Sequence, residues 1–397
     1  MSESDSTPSS DPPVRVLIAS RMIRWQRDEG SEVREQVAGL VTAADVSTCD
    51  IVVTDGRSIY RPSVFGGELR LERIGSIAMA WLHGADVFHV HHLLPVFRHL
   101  LIAALLRLRG STVVFSPMNF LSQDSTQRSW THPRPGWWTR SKPTAIGILC
   151  RAWRVVANFF VCLSEYEAAS SRLPQSRCVL VPWTKPDTPL LASDPPPLDS
   201  SIDRRSGPVA YVGRMDPWRK GIDRLCSWLS AFATELPHPA VVLLAPRDAE
   251  TPPAVAELSE SGLIEWDWES RGEALESQLR RCRGAIHLSR YDGQPRSLRE
   301  ALWLGLPVMC TPACCLGESI SVLGFGRIVN GDNQTAIQEA FEALGDERAS
   351  AELARRLFDR VGVGRFLITL YIDLASGRPP SQRNYYLQFT NGLPAKV

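Results

Sequence analysis

Two acidic residues, Asp292 and Glu300, lie eight positions apart in the segment "SRYDGQPRSLREALWLGLPV" (289–308). The apolar spacing of "RSLREALWL" predicts a helix, with Gly305 at its C′ position and Pro307 preventing its continuation. Eight residues of helix rise roughly 12 Å. Two carboxylates that far apart cannot share a proton or a metal ion, but they can hold two ends of one elongated polar ligand.

A purely structural interpretation of the same segment remains open. In that interpretation Asp292 or Gly293 caps the helix, Pro295 occupies its first turn and Glu300 is solvated. The neighbouring runs "GAIHLS" and "PVMC" predict a strand before and a strand after the helix. Both acids would then lie at the carboxyl end of a parallel strand, where open α/β sheets bind ligands.

A second candidate element is "VGRMDPWRKGIDRL" (212–225), which follows the apolar run "PVAYVG". Gly213 allows a tight turn, and Arg214 and Lys220 lie in a strand-to-helix loop before a helix that begins near Gly221. A helix N-terminus beside two cations suits a diphosphate. The competing interpretation is a pair of solvated surface cations. The element is not a P-loop, because the lysine precedes the glycine.

Composition excludes several classes of function. The 397 residues carry a formal net charge of +1, with 44% hydrophobic and 22% charged residues, so nothing indicates a nucleic-acid-binding protein. The nine cysteines are scattered without zinc-ligand spacing, which favours buried thiols in a reducing compartment. Residues 1–13 resemble a disordered acidic tail rather than a signal peptide, and no apolar run of about 18 residues is present. A cytoplasmic protein is expected.

Apolar strand patterns alternate with helical patterns in two series separated by a Pro-, Asp- and Ser-rich segment. In the first series, "VRVLIAS", "DIVVTD" and "DVFHVHH" predict strands, and "ERIGSIAMAWL" predicts a helix. The pattern predicts an α/β fold of two doubly wound Rossmann-like domains facing across a cleft. The predicted divisions are a tail (1–13), a first Rossmann-like domain (14–184), a linker (185–207), a second Rossmann-like domain (208–368) and a C-terminal segment (369–397) that packs back on the first domain.

Together these motifs resemble the retaining glycosyltransferases of the GT-B fold, family 4 (glycosyl transferases group 1). That family carries a G-R…K-G element and an E-x7-E element, which are similar to Gly213-Arg214…Lys220-Gly221 and to Asp292-x7-Glu300 here. Weaker similarity extends to "DVFHVHH", "FVCLSEYEAASSRL" and "RCVLVP". The resemblance covers about residues 14–370.

The resemblance implies that the domain at 14–184 is the acceptor side and that the domain at 208–368 binds the nucleotide sugar. It also implies a role for each of these residues. Arg214 and Lys220 would neutralise the diphosphate of a nucleotide-diphosphate sugar, and Glu300 would accept the ribose hydroxyls. Asp292 would bind hydroxyls of the donor sugar. The backbone amides beside that sugar would come from Gly293 and Gln294. Catalysis would rest on Arg214, Lys220 and Asp292, with no metal ion and no cofactor.

The sequence departs from the family pattern at three places. The first acid of E-x7-E is an aspartate, and the first loop has one glycine where the family has a pair. A methionine stands where the family often has a histidine. The acceptor-side candidates are therefore Gly30, His91, His92, Met118 and Asn119. The departures motivate an alternative function, a non-catalytic relative that acts as a binding or scaffold subunit for another transferase.

Two further features each have more than one interpretation. His89 and His91 share one face of a predicted strand and either line the cleft, pack in the core or bind a metal ion. A group of aromatic and basic residues either rests on a bilayer, at the inner face of a membrane, or divides between core and solvent. This group comprises Trp137, Trp138, Trp153, Arg140, Lys142, Arg151 and Arg154.

Overall fold

The computed structural model describes most of the chain. The described residues are 12–20, 31–44, 48–66, 68–76, 84–91, 97–117, 148–185, 206–216, 218–245, 252–267, 273–324, 326–344, 347 and 350–389. Among them, fourteen strands form two separate sheets.

The first sheet has eight described strands in the order β4-β3-β2-β1-β5-β6-β7-β8. All neighbours are parallel except β2–β3 and β3–β4, which are antiparallel. The order reverses between β1 and β5, which makes this point the switch point where α/β sheets open a crevice. The bounds are β1 Val14–Ala19, β2 Cys49–Thr54, β3 Ser58–Phe65, β4 Glu68–Ser76, β5 Val87–His91, β6 Thr112–Ser116, β7 Phe159–Cys162 and β8 Cys178–Leu180.

The second sheet has six described strands, all parallel, in the order β11-β10-β9-β12-β13-β14. This is the doubly wound order, with its switch point between β9 and β12. Strands β10, β12 and β13 are fully buried, as parallel strands covered on both faces must be. The bounds are β9 Val209–Val212, β10 Val241–Leu244, β11 Ile264–Asp267, β12 Gly284–His287, β13 Val308–Cys310 and β14 Arg327–Ile328.

Helices cover both sheets and complete the predicted α/β class, which the structure confirms. Within the described residues, none of them combines the length and the apolar character required to span a bilayer. They are α1 Ser31–Ala43, α2 Phe97–Leu108, α3 148–156, α4 Glu165–Ser170, α5 Ile222–Ala231, α6 Pro253–Glu260, α7 Glu273–Arg280, α8 Arg296–Leu304, α9 Gly317–Leu323, α10 Gln334–Leu344, α11 Ala351–Leu357 and α12 Arg360–Ala375.

The helix predicted over "ERIGSIAMAWL" is wrong over its first five residues, which belong to β4. The preceding "SIYRPSVFGGELRLERIGS" forms an antiparallel hairpin in which Val64 pairs with Leu69. Gly66, with φ +59°, makes the turn between the two strands. The two strands stay paired through Ser76, so Glu68–Ser76 belong to the sheet and do not form a helix.

The C-terminal helix α12 lies against α1 of the first sheet rather than against the second sheet. The two helices meet at glycines, because a Cβ on Gly39 would lie 2.2 Å from the Arg360 carbonyl oxygen and one on Gly364 would lie 2.4 Å from the Gly39 carbonyl oxygen. Tyr371 of α12 also reaches β5, with its hydroxyl 2.6 Å from Nδ1 of His89. The chain therefore returns to the first sheet from residue 360 onward, and the domain boundaries themselves stay predictions.

Candidate active site

The two motifs singled out in the sequence meet at the switch point of the second sheet. The Gly213–Lys220 loop leaves β9, and the Leu288–Asp292 segment leaves its neighbour β12. The β9 loop wraps around buried Tyr211, whose hydroxyl lies 3.4 Å from the Arg214 carbonyl and 3.5 Å from the Lys220 carbonyl. The carboxyl edge of the sheet thus places both motifs beside one crevice.

Gly221 sets how closely helix α5 approaches the end of β12. It is the N-cap of α5 with φ +72°, a conformation that favours glycine. A Cβ at this position would lie 2.1 Å from the Leu288 carbonyl oxygen. No side chain fits there, so the glycine brings the positive end of the helix against the strand that carries Asp292.

Arginines brace the β9 and β12 loops against each other. Arg290 forms a bidentate pair with Asp223 at 2.7 and 2.8 Å and also donates to the Trp218 carbonyl at 2.8 Å. Arg224 forms a bidentate pair with Asp332 at 2.8 and 2.6 Å and donates to the Leu288 carbonyl at 3.1 Å. Planar guanidinium groups suit this double contact, and they fix the geometry of both loops.

Lys220 and Asp292 form an ion pair between the β9 loop and the segment after β12, with Nζ donating to Oδ2. Their side chains are 16% and 13% exposed, so the pair is mostly buried and keeps a small solvent-exposed area. Burial opposes ionisation of Asp292, but Lys220, His287 and Arg219 outweigh it and lower its pKa. A carboxyl with a lowered pKa is ionised at neutral pH, and the pair is lost only as the pH falls through that lowered pKa.

Asp292 therefore does not cap helix α8, contrary to the structural interpretation of the sequence. The helix begins at Arg296 with Pro295 at the N-cap position, and Gly305 ends it with φ +90°, as predicted. Glu300 lies in the middle of this helix and is buried, with 6% exposure, so it is not a solvated side chain.

The structure gives Gln294 a different role from the one expected. Its backbone amide donates to the Cys314 carbonyl at 2.9 Å, so it is not available to a donor sugar in this structure. Its buried side chain instead joins the two sheets: Oε1 accepts from the Trp183 amide at 2.8 Å, and Nε2 donates to Tyr386 Oη at 3.0 Å and to the Leu163 carbonyl at 3.3 Å. Asp292 is thus two residues from a fixed contact between the sheets.

Arg299 is a second bridge that the sequence analysis missed. Its side chain is 1% exposed and donates to the Thr184 carbonyl, to the Gln294 carbonyl at 3.2 Å and to Glu32 Oε1 at 3.4 Å. Burial lowers its pKa to about 10, and the Glu32 carboxylate opposes that shift. Arg296 also reaches Glu32, at 3.3 Å. The first turn of α1 is therefore tied to the helix that carries Glu300.

His287 at the end of β12 was also missed. The ring is fully buried, stacks on Tyr211 at 5.2 Å and places Nδ1 2.6 Å from the Ser289 hydroxyl. Its Nε2 has no hydrogen-bond partner within the described part of the chain. A histidine within an apolar strand pattern gives no sequence signal that separates packing from function.

The acceptor-side candidates are only partly described. Gly30, His92, Met118 and Asn119 lie outside the described residues. His91 is buried at the end of β5, with its ring 6.4 Å from that of Trp183, and burial lowers its pKa to about 3.

His89, the other histidine of "HVHH", is fully occupied, since Nδ1 faces Tyr371 and Nε2 lies 2.8 Å from the Ser116 hydroxyl. It therefore has a packing role. Among the described residues, no group of three or more His, Cys, Asp or Glu side chains has the arrangement of a metal site.

Trp153 does not belong to a surface, contrary to the bilayer interpretation of the aromatic and basic group. It is fully buried in the core of the first sheet and stacks on Phe115 at 4.3 Å. Arg151 is exposed, and Arg154 donates to the Ser171 carbonyl at 2.6 Å. Trp137, Trp138, Arg140 and Lys142 lie outside the described residues.

The part of the chain that forms the second sheet matches the model of a known protein family. Residues 207–347 match the family model described as "Glycosyl transferases group 1". This stretch contains every strand of the second sheet, together with the Gly213–Gly221 loop, Asp292 and Glu300. No curated protein matches the chain.

Solved structures of similar fold cover nearly the whole chain. They include sucrose-phosphate synthase from Thermosynechococcus elongatus, with 14% identity, a TM-score of 0.53 and coverage of 95% of this chain and 98% of that one. The catalytic domain of starch synthase IV from Arabidopsis thaliana, bound to ADP and acarbose, has 14% identity, a TM-score of 0.52 and coverage of 92% and 100%. Alr3699/HepE from Anabaena, in complex with UDP, has 14% identity, a TM-score of 0.50 and coverage of 89% and 98%. At such identities the likeness shows the fold, which is GT-B.

Proposed function

We propose that this protein is a retaining glycosyltransferase that moves a sugar from a nucleotide-diphosphate donor to a hydroxyl acceptor. The observation that carries the proposal is the Lys220–Asp292 pair at the switch point of the second sheet, between the N-terminus of α5 and the helix that bears Glu300. The family match over the same residues supports it, as do the ADP and UDP bound in two structures of similar fold.

The diphosphate would lie between the β9 loop and the N-terminus of α5. Lys220 has three N–H donors and uses one on Asp292, which leaves two for phosphate oxygens. Arg214 is exposed on the same loop, and the positive N-terminal end of α5 directly follows Lys220 in the chain. These groups would stabilise the charge that develops on the leaving diphosphate.

Each of the two acids would bind a different part of the donor. Glu300 would accept the ribose hydroxyls, and Asp292 would accept hydroxyls of the sugar while holding Lys220 in position. The family mechanism has no protein nucleophile: the diphosphate leaves, one of its oxygens takes the proton of the acceptor hydroxyl, and the acceptor attacks the same face of the sugar.

Hydrolysis of a panel of nucleotide-diphosphate sugars tests the proposal, because a transferase releases some sugar to water. Release of no sugar from any donor would favour the non-catalytic alternative.

Separate roles for the two acids predict separate losses. Glu300→Ala should weaken binding of a bare nucleoside diphosphate about 10- to 100-fold, because a charge-assisted contact to the ribose is removed. Asp292→Asn should leave that Kd within about threefold and lower turnover of the full donor about 100-fold. Titration calorimetry and a transfer assay measure the two effects. Glu276→Ala, which removes a carboxylate paired with Arg280 on α7, is the matched control. Unchanged nucleotide binding by Glu300→Ala would rule out its ribose role.

Metal independence is the next expectation. Transfer should proceed at full rate in excess EDTA, because Lys220, Arg214 and the helix terminus supply the positive charge that a divalent ion would otherwise provide. Glu265 and Asp267 in "EWDW" have the spacing of an Asp-x-Asp pair, which holds a divalent ion in many transferases. Here Glu265 pairs with Arg281, and Asp267 accepts from Gln278 at 3.0 Å. Activity lost in EDTA and restored by Mn²⁺ or Mg²⁺ would contradict the assignment of the two basic residues.

A further inference from the structure

Helix α2 exposes an apolar stripe to solvent. Phe97, Leu101, Leu105 and Leu108 are 70%, 51%, 39% and 85% exposed, and their spacing of four, four and three residues places them on one helix face. The opposite face, which includes Leu100, packs on the first sheet. The outer face of this helix is therefore apolar without a covering element among the described residues.

The neighbouring helix α3 extends the stripe into a patch. Arg107 in the last turn of α2 donates to the carbonyl of Val156, the last residue of α3, at 2.7 Å, so the C-terminal ends of the two helices are adjacent. Ile148 and Val155 of α3 are 60% and 72% exposed. Six of the ten large apolar side chains exposed in the described residues belong to these two helices, which is a concentration rather than the usual scatter. We call the six residues the α2–α3 patch.

The patch lies in a strongly basic part of the chain. Between residues 87 and 163 there are nine Arg and Lys residues and one acid, Asp124, whereas the whole chain has 44 basic and 43 acidic residues. Neither α2 nor α3 carries an acid, and Arg98, Arg107, Arg109 and Arg151 are exposed on them or directly after them. Exposed apolar side chains among arginines match the interface of an anionic bilayer, where the stripe enters the headgroup region and the cations meet lipid phosphates.

We propose that the α2–α3 patch is the surface by which this protein docks on an anionic lipid bilayer. A second copy of the chain is a poorer occupant, because a two-fold contact would bring the same basic patch against itself. The proposal goes beyond sugar transfer and does not depend on it. One consequence does rest on the proposed function: the patch belongs to the sheet assigned to the acceptor, so the acceptor would be presented at the membrane surface.

Vesicle flotation of the full chain tests the proposal. We expect binding to vesicles of phosphatidylcholine and phosphatidylglycerol, much weaker binding to phosphatidylcholine alone, and loss of binding when salt rises from about 0.1 M to about 0.5 M. The variant Phe97→Ser/Leu101→Gln/Leu108→Gln should bind at least about 100-fold more weakly. Arg109→Gln/Arg151→Gln should bind about tenfold more weakly.

The matched control is Phe65→Ser/Leu387→Gln, which removes two equally exposed apolar side chains outside the patch (67% and 58% exposed) and should bind as the wild type does. Donor hydrolysis should be unchanged in every variant, which distinguishes a failure of this proposal from a failure of the proposed function. No binding of the wild type to anionic vesicles, or equal binding by the triple variant, would overturn the proposal. So would light scattering that shows a wild-type dimer and a monomeric triple variant, because the patch would then be a contact between copies.

Discussion

Lys220→Met is expected to lower the rate of transfer about 100- to 1000-fold and to weaken binding of a nucleoside diphosphate at least about tenfold. The lysine contacts Asp292 and also lies beside the N-terminus of α5. Removal of the ammonium group takes away the two N–H donors that would bind phosphate. It also leaves the largely buried carboxylate of Asp292 without its cation. Initial rates with a saturating acceptor and titration calorimetry with the nucleotide measure the two losses.

A second variant separates chemistry from stability. Removing one partner of a buried ion pair costs about 3–5 kcal/mol, so Lys220→Met alone will melt at a lower temperature. The double variant Lys220→Met/Asp292→Asn removes both charges and should recover much of that stability without recovering transfer. Arg281→Ala breaks an exposed pair with Glu265 in the same domain and should change neither property. Wild-type nucleotide affinity in the folded double variant would contradict the role of Lys220.

Gly221→Ala is expected to destabilise the second domain by about 3 kcal/mol or more and to abolish nucleotide binding. The new methyl group would lie 2.1 Å from the carbonyl oxygen of Leu288, a backbone atom that cannot move aside as a flexible side chain could. Relief requires that α5 move away from β12, which separates the helix N-terminus and Lys220 from Asp292. Denaturant unfolding and nucleotide titration measure the two effects.

Gly377→Ala is the matched control for this substitution. Gly377 has φ +70°, close to the +72° of Gly221, but a Cβ added to Gly377 would meet no atom within 4 Å. Its replacement carries only the backbone penalty of about 1 kcal/mol and should leave nucleotide binding unchanged. Equal losses of stability at Gly221 and Gly377 would show that the contact with Leu288 does not hold α5 in place.

The sequence predicts the helices and strands of the second sheet well because each carries a local signal. The bounds of α8 follow from its apolar spacing and from Gly305, and the parallel pairing of the strands follows from their alternation with helices. The first sheet was less predictable. Its β3–β4 hairpin is predicted in part as a helix, because "ERIGSIAMAWL" shows helical spacing, whereas the pairing of Val64 with Leu69 is a contact between strands that local spacing does not reveal.

Contacts between distant parts of the chain were not predictable from local patterns. Gln294 follows a glycine and precedes a proline, which indicates a turn but not a side chain that joins Trp183, Leu163 and Tyr386. The pairing of Arg299 with Glu32 joins positions 267 residues apart. By contrast, the sequence predicts that Lys220 and Asp292 each follow a strand of the second sheet, and the two strands, β9 and β12, are neighbours in the structure. Their direct ion pair required the structure.

Soaking crystals of the full chain with a panel of nucleoside diphosphates would show where the donor nucleotide binds. We expect at least one of them to bind at the switch point of the second sheet. Its diphosphate should lie between Lys220, Arg214 and the N-terminus of α5, and its ribose hydroxyls should donate to Glu300. A nucleotide bound elsewhere, or binding of none of the panel while the Lys220–Asp292 pair stays intact, would contradict the assignment of this crevice as the donor site.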